Sequence, residues 1–365
     1  VTGMPNVADP VLYHWKKNPG RQSGLPIERK WENTQITFNT DKSLFVNHSL
    51  DSIYFAPNSS YTFRIVKGEY EFDAILGLLN QKPNGKTANG MLIFESNGKV
   101  LFQKKFENAE TEVWSQSKEL LSIDSELKIS WKSEGDHFFL AEPVLYQNKF
   151  EAKPNVILIV LDSARKDFFG SYGFPYQITP NMDKLANESI FFENPFSNGN
   201  WTKPSMMSFF HSEYSSNLGL GNSWFTTKPY QRKVYYGKKR DNLVSILREN
   251  GYYTKSIMNN VFFLDYTTVG VDLGFHNTYQ VGMDILDTEA LTSHALGFLE
   301  EKKEKPFFLH FNLNTPHASY SPPPEDMAYA KKMIPAEVFY KYESPVQRYI
   351  GEMVYTDREI GRLIQ

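Results

Sequence analysis

Between residues 59 and 131 apolar and polar side chains alternate along the chain. Tyr61, Phe63 and Ile65 recur at every second position, as do Tyr70 and Phe72, and again Leu127, Ile129 and Trp131. That is the period of strands with one buried face. In "MLIFESNGKVLF" the pair Asn97-Gly98 separates two apolar runs, and both residues tolerate the positive φ that a two-residue hairpin needs. No helical period interrupts the series, so residues 31–150 predict an all-β, jelly-roll-like sandwich. Its many aromatics suit a sandwich core or, alternatively, a sugar-stacking surface. Residues 1–30 carry neither pattern and read as an extended linker.

The period changes near residue 154. "PNVILIVLD" holds six consecutive apolar residues, Val156 to Leu161, which predicts a strand covered on both faces, as in a parallel sheet. "TPNMDKLANES" then offers Thr179 as cap, Pro180 at the first helical position and Met182, Leu185 and Ala186 on one face. "DNLVSILRENGYYTKSIM" repeats the unit, with Asp241 as cap, Leu243, Ile246 and Leu247 packing, Gly251 ending the helix and a strand after it. Leu291, Ala295, Phe298 and Leu299 mark another helix before the strand "PFFLHFNL". Strands alternating with helices predict, for residues 151–365, an α/β domain whose mostly parallel sheet is flanked by helices.

Bulk composition narrows the function classes. The chain has 365 residues, a formal charge of −3 and no cysteine. Near-neutrality gives no footprint for nucleic acid. The short basic run "YYGKKRD" reads as a solvated loop. Absence of cysteine excludes disulfides, thiolate ligands and a cysteine nucleophile. No window of about eighteen apolar residues exists to span a membrane as a helix. The first residues, "VTGMPN", and the last, "VYTDREIGRLIQ", read as cut from a longer protein.

Ligands of open α/β sheets gather beyond the carboxyl ends of the strands. Asp162 stands there, after "VILIVL", as a turn residue or as a ligand for a divalent cation. His317, in "NLNTPHASYSPPP", follows another strand and falls on the same rim, as a structural loop residue or a site residue. In "SNGNWTKPSMMSFFHSEY", Met206, Phe209 and Phe210 predict one face of a helix that starts near Thr202 and Pro204. Thr202 is either its N-cap or a nucleophile. Its hydroxyl attacks poorly near neutral pH unless a base or metal activates it, and a helix N-terminus favours a bound phosphate or sulfate. The two readings are compatible.

With those residues in view, "NVILIVLDSARKDFFGSYG…ITPNMDKLANESIFFEN", "NWTKPSMMSFFHSEY", "LRENGYYTKSIMNN" and "TPHASYSPPPE" resemble, in order, the segments of sulfatase-like members of the alkaline phosphatase superfamily. The resemblance covers roughly residues 153–365. It implies that Asp162 is a metal ligand, that Thr202 is the nucleophile and also touches metal, that His317 faces the charged group of the ester, and that Asn260 lines the substrate pocket. It implies a divalent metal cofactor (Zn, Mn, Ca or Mg). Arg165 matches a family position and is expected to brace the sheet rim, while Tyr172 and Asp183 read as packing and helix-start residues.

The departures from the family pattern are informative. Sulfatases place Cys or Ser at the Thr202 position, convert it to formylglycine and follow it with Pro-x-Arg. Thr cannot be so converted, and the Arg position holds Met206. "SIMNNVFF" replaces an expected Lys-Trp-His segment, and Asp162-Ser163 stands where paired aspartates are common. These features favour a threonine branch, a metal-dependent hydrolase or transferase of phosphate or sulfate esters, with envelope glycan or glycolipid as substrate and an extracytoplasmic location. The alternatives are a formylglycine-independent sulfuric ester hydrolase and a catalytically degenerate glycan-binding scaffold. The family's remaining metal ligands follow the helix "YTDREIGRLIQ", so residues 1–365 alone are expected to bind metal weakly and to be inactive.

Overall fold

The computed structural model describes residues 16–17, 33–39, 47–80, 85–111, 115–147, 153–220, 227–236, 241–260, 273–280, 288–302 and 306–365. Part of the basic run at 235–241 and the residues following Asn260 lie outside this set. The N-terminal part consists of ten strands: β1 (Lys16–Lys17), β2 (Asn33–Asn39), β3 (Asn47–Phe55), β4 (Ser59–Arg64), β5 (Gly68–Leu79), β6 (Thr87–Ser96), β7 (Lys99–Glu110), β8 (Ser115–Ile123), β9 (Glu126–Lys132) and β10 (His137–Gln147). Eight of these strands form two antiparallel arrays, in the orders β3-β10-β5-β8 and β4-β9-β6-β7, and β2 pairs with β3 and with β1 beside the first. Asn97 and Gly98 turn β6 into β7 with φ of 46° and 78°, the left-handed pair expected of that hairpin.

The two arrays share one core, because each contributes the apolar face of its alternation. Phe55, Phe72 and Phe138 come from the first, Phe94, Ile129 and Trp131 from the second. Trp131 stacks on Phe138 at a centroid distance of 5.0 Å, and its indole N–H donates to the Asp136 carbonyl at 2.7 Å. A Cβ at Gly90 would lie 2.3 Å from that ring, so the indole requires glycine there.

Four more strands, β11 (Val156–Leu161), β12 (Tyr253–Met258), β13 (Asn277–Gln280) and β14 (Phe307–Leu313), run parallel in the order β11-β14-β12-β13. Among the described residues eight α-helices accompany them: α1 (Pro180–Asn187), α2 (Thr202–His211), α3 (Pro229–Tyr236), α4 (Leu243–Glu249), α5 (Thr288–Lys302), α6 (Pro324–Met333), α7 (Ala336–Phe339) and α8 (Ser344–Ile364). Val156, Leu158, Val160 and Phe308 pack with α2 and α4 on one face of the sheet. Leu161, Leu309, Phe311 and Leu313 pack with α5 and α8 on the other. The fold is therefore mixed α/β, a helix-flanked parallel sheet preceded by antiparallel sheets.

The sheets are continuous. The first residues of β3 pair antiparallel with β13 and its last residues with β10. Glu142 marks the junction, at a break in register between Ala141 and Val144 and with φ of 51°. Its buried carboxylate accepts hydrogen bonds from Tyr253 Oη at 2.6 Å and from Asn277 Nδ2.

β11 packs on both faces, as its apolar run predicts, although it ends the strand order among the described residues and is half-buried, with Ile157 41 % exposed. Two local expectations need correction. The cap of α4 is Asn242, not Asp241: its side chain accepts Ser245 N–H while Ser245 Oγ accepts the Asn242 N–H, a reciprocal pair that Asp241 is one residue too early to make. In α2, Met206 and Phe210 are buried but Phe209 is 51 % exposed, because the inward stripe runs through Lys203, Met207 and Phe210 instead.

Candidate active site

Asp162 follows β11 directly. Its N–H extends the parallel ladder by one bond, to the Leu313 carbonyl at 2.9 Å, so the carboxylate stands at the carboxyl rim of the sheet. The chain then turns sharply at Ser163, whose φ is 61°, a conformation seldom adopted by serine. Tyr349 on α8 holds the turn from behind. Its hydroxyl donates to the Ser163 carbonyl at 3.1 Å and accepts the Arg165 N–H at 2.8 Å, and burial pushes its phenol up to about 12.

Thr202 is the first residue of α2, and the N-cap is Trp201 in an extended conformation, with no side-chain cap. The threonine hydroxyl does not cap the helix. It donates to Asp162 Oδ2 at 2.7 Å. Asn260, just beyond β12, donates its Nδ2 to the same oxygen at 2.7 Å, and Ser163 Oγ donates to Oδ1 at 3.1 Å. Three segments far apart in sequence thus meet on one carboxylate. Around the start of α2 the loop closes tightly: Ser197 and Ser205 hydroxyls lie 2.7 Å apart, and a Cβ on Gly199 would come within 2.8 Å of Ser205 N.

An anion at this helix end would meet fewer amides than a typical N-terminus offers. Pro204 has no N–H, and Ser205 N–H bonds to the Trp201 carbonyl at 3.3 Å. Neither of these two residues has an amide left for an anion. The Lys203 side chain is buried, next along the chain from the hydroxyl.

His317 occupies the exposed loop after β14, and β14 is the neighbour of β11. Its N–H donates to the Asn314 carbonyl at 2.6 Å, and its Nδ1 lies 2.7 Å from the Ala318 carbonyl. No hydrogen bond links it to Asp162, Thr202 or Asn260 among the described residues. Arg165 pairs with Asp167 through two bonds of 3.0 and 2.6 Å and lies over the Phe168 ring, bracing the rim. Asp183 accepts the Ser171 N–H at 2.7 Å, and Tyr172 Oη donates to the Phe192 carbonyl at 2.8 Å.

Several site residues had not been singled out from the sequence. Asn259 Oδ1 accepts the Asn314 N–H at 2.6 Å, and Glu352 accepts the Ser321 N–H at 2.6 Å, so the His317 loop is held from both ends. The Asn259-Asn260 doublet directly after β12 was a visible signal. Tyr349 and Glu352 act across long sequence separations and left none.

Asp162 Oδ2 and Thr202 Oγ1, 2.7 Å apart, are spaced as two oxygen ligands of one hard cation with bonds of about 2.0–2.4 Å. They fit one side of such a site. Among the described residues no group of three or more His, Cys, Asp or Glu side chains completes it.

Residues 154–365 match the family model described as Sulfatase, more than half of the chain. The chain belongs to the sulfatase family. Among curated sulfatases it is 25 % identical over 218 residues to the N-acetylglucosamine-6-O-sulfatase of Bacteroides thetaiotaomicron, covering 54 % of this chain and 37 % of that protein. To human iduronate 2-sulfatase it is 28 % identical over 211 residues, covering 47 % and 36 %. The match thus spans little more than a third of these relatives' length. Among solved structures, the lipoteichoic acid synthase LtaP from Listeria monocytogenes superposes with a TM-score of 0.44 at 18 % identity, over 58 % of this chain and 51 % of that one.

Proposed function

We propose that the protein cleaves or transfers the acid group of a sulfate or phosphate ester, with Thr202 as the attacking group. The observation that carries this reading is the 2.7 Å hydrogen bond from Thr202 Oγ1 to Asp162 Oδ2, at the N-terminus of α2. It fixes the hydroxyl on the carboxyl rim of the sheet, where the helix end favours an anion. Attack would form a bond from Oγ to sulfur or phosphorus, break the bond to the leaving oxygen, and release the alcohol with the proton. Water or an acceptor hydroxyl would then take the group from Thr202 and restore its O–H.

Asp162 orients the nucleophile: its Oδ2 accepts from Thr202 and Asn260, and its Oδ1 from Ser163. A divalent cation held by Asp162 and Thr202 would supply the missing activation by lowering the hydroxyl pKa. His317 on the neighbouring loop is the candidate for contacting the ester's negative oxygens.

A narrower reading has its own support. The curated relatives carry names of sulfatases acting on N-acetylglucosamine and iduronate, so a sulfated sugar is the substrate class to try first. The strand orders β3-β10-β5-β8 and β4-β9-β6-β7 are those of a jelly roll, which supports residues 31–150 as an accessory β-sandwich beside a catalytic unit from residue 151 onward.

The test uses the full-length protein with divalent metal and aryl sulfate, aryl phosphate monoester and phosphodiester substrates. Turnover of one class with loss on the order of 10³-fold or more in Thr202→Ala is expected. Undiminished turnover in Thr202→Ala would remove the nucleophile, and equal inactivity of both proteins on all three classes would favour a binding role.

A further inference from the structure

Two side chains of α8 hold the rim loops that carry the site residues. Tyr349 and Glu352 stand three positions apart, so they share one face of the helix, and both are buried. Tyr349 bonds the loop after β11: its hydroxyl accepts the Arg165 N–H at 2.8 Å and donates to the Ser163 carbonyl at 3.1 Å. Glu352 bonds the loop after β14, where its Oε1 accepts the Ser321 N–H at 2.6 Å. The phenol ring touches both loops as well, edge to face with Phe168 at 5.1 Å and with Tyr320 at 5.5 Å. Asp162 begins the first loop, and His317 lies in the second.

Stability alone does not call for these bonds. Ser163, Arg165 and Ser321 are exposed residues, where water can serve a backbone group in place of a protein partner. A bonded phenol hydroxyl adds little net stability, and an enclosed carboxylate gives up hydration that one N–H does not replace. The bonds instead fix direction. The Asp162 N–H is pinned to the Leu313 carbonyl on one side, and Tyr349 pins Ser163 and Arg165 on the other. Between these anchors Ser163 keeps its left-handed φ of 61°. A released serine would leave that region and turn the Asp162 carboxylate away from Thr202 and Asn260. Asp162 needs this placement whether its Oδ2 meets the Thr202 hydroxyl alone or shares a cation with it. In the second loop Asn259 holds Asn314 and Glu352 holds Ser321, so His317 lies in a span fixed at both ends.

We propose that Tyr349 and Glu352 are positioning residues of the site, each acting through the loop it holds. Tyr349 sets the turn at Ser163 and so aims Asp162 at the Thr202 hydroxyl. Glu352 sets the height of the His317 loop over the rim and so places the imidazole for the ester's charged group. The proposal rests on the reading of Thr202 as nucleophile and of His317 as a substrate contact. It adds that one helix face aligns the two, with neither α8 side chain touching the reacting atoms.

The two residues should fail in different ways. Tyr349→Phe keeps both ring contacts and removes both hydrogen bonds. In the full-length protein, kcat on the aryl ester accepted by the parent should fall about 10–100-fold, with KM within about twofold. Its melting temperature should drop by no more than about 2–4 °C. Glu352→Leu removes the acceptor for Ser321 and should raise KM roughly 10-fold, with kcat within about twofold. Glu352→Gln, whose amide oxygen still accepts that N–H, should recover most of the loss. A helix that merely supports the fold would move both constants alike in both variants. That result would overturn the proposal, as would an unchanged kcat in Tyr349→Phe or an unchanged KM in Glu352→Leu. A kcat loss accompanied by a melting-temperature drop well beyond the stated range would overturn it too, since the bonds would then hold the fold. None of these outcomes touches Thr202. Full turnover by Thr202→Ala, or a parent inactive on every ester, would instead sink the underlying reading.

Discussion

The interior between the antiparallel sheets and the sheet face under α2 are both buried, yet they are built from different chemistry. The first is an aromatic layer in which Phe55, Phe72, Phe94, Trp131 and Phe138 meet edge to face, tilted or stacked, and the indole N–H of Trp131 is bonded. The second alternates Val160, Met258 and Phe308 with Thr254, Ser256, His310 and Asn312, all fully or nearly fully enclosed save the half-buried Val160. Burial in an apolar pocket lowers the His310 pKa to about 3 and so keeps its imidazole neutral. An aromatic layer gains transfer free energy at every position. Amides and hydroxyls gain little net stability even when bonded. The comparison therefore separates a region shaped by stability from one that gives up stability beside the rim that carries Asp162.

The largest expected effect sharpens that contrast. Trp131→Ala removes the largest fully buried side chain and should cost about 3–5 kcal/mol in denaturant unfolding. Because β3 pairs with both β10 and β13, the loss should lower one shared transition. Two transitions, with only the earlier one moved, would break the view that the continuous sheet couples the halves.

A second prediction concerns buried carboxylates on α8, the helix behind the parallel sheet. Burial raises Glu352 from its ordinary value to about 7, with the Asp326 charge adding to it and the Ser321 N–H opposing it. Burial likewise raises Asp357 to about 6, against the N–H groups of Met182 and Asn181 that it accepts. A carboxyl whose folded pKa lies above its unfolded value favours the folded state most below the unfolded value. That contribution disappears as pH climbs through the folded value. From about pH 4.5 to about pH 7 the parent should therefore lose on the order of 3 kcal/mol through Glu352 alone, and Asp357 adds a fall that begins near pH 4. Glu352→Gln cannot ionise, so its stability relative to the parent should rise by a similar amount over the same window. Unfolding curves at pH 5, 6, 7 and 8 that stay parallel for the two proteins would refute it.

What the sequence disclosed follows the same division. Strand positions in the antiparallel half were legible because alternation, aromatics and Asn97-Gly98 agree with one another, and local agreement of this kind is what periodicity can detect. The helices α1, α2, α4 and α5 were legible from their apolar spacing, while the caps of α2 and α4 and the inward stripe of α2 were misplaced. The meeting of Asp162 with Thr202 was foreseen from strand and helix ends together. The edge position of β11, the pairing of β13 with β3 and the clamp by Tyr349 were not, since each depends on residues more than a hundred positions apart. Asn312 left a faint signal that went unused: in "FFLHFNL", His310 and Asn312 break an otherwise apolar strand at period two.

The smallest effect tests the comparison at the level of the backbone. Among the described residues of the antiparallel half the non-glycine residues with left-handed φ are Asn58, Asn97 and Asn108, with Glu142 at the junction; among those of the parallel half they are Ser163 and Ser212. Asparagine tolerates that region through local hydrogen bonding, and serine is less suited to it. At Ser163 the strain sits beside Asp162, where it turns the chain away immediately after the carboxylate and lets Ser163 Oγ reach back to Oδ1. Two substitutions separate the strain from the hydrogen bond. Ser163→Ala removes the bond and keeps the strained φ, while Ser163→Gly removes both. Gly should be the more stable of the two by about 1 kcal/mol, the difference between left-handed glycine and alanine after glycine's greater unfolded-state freedom is counted. At Asn97 the same pair of substitutions should again place Gly above Ala, but with the asparagine parent close to Gly. At Ser163 the serine parent should fall nearer to Ala. Equal stability of Ser163→Gly and Ser163→Ala would mean that the turn after Asp162 stores no strain, and the rim would then be as relaxed as the hairpins.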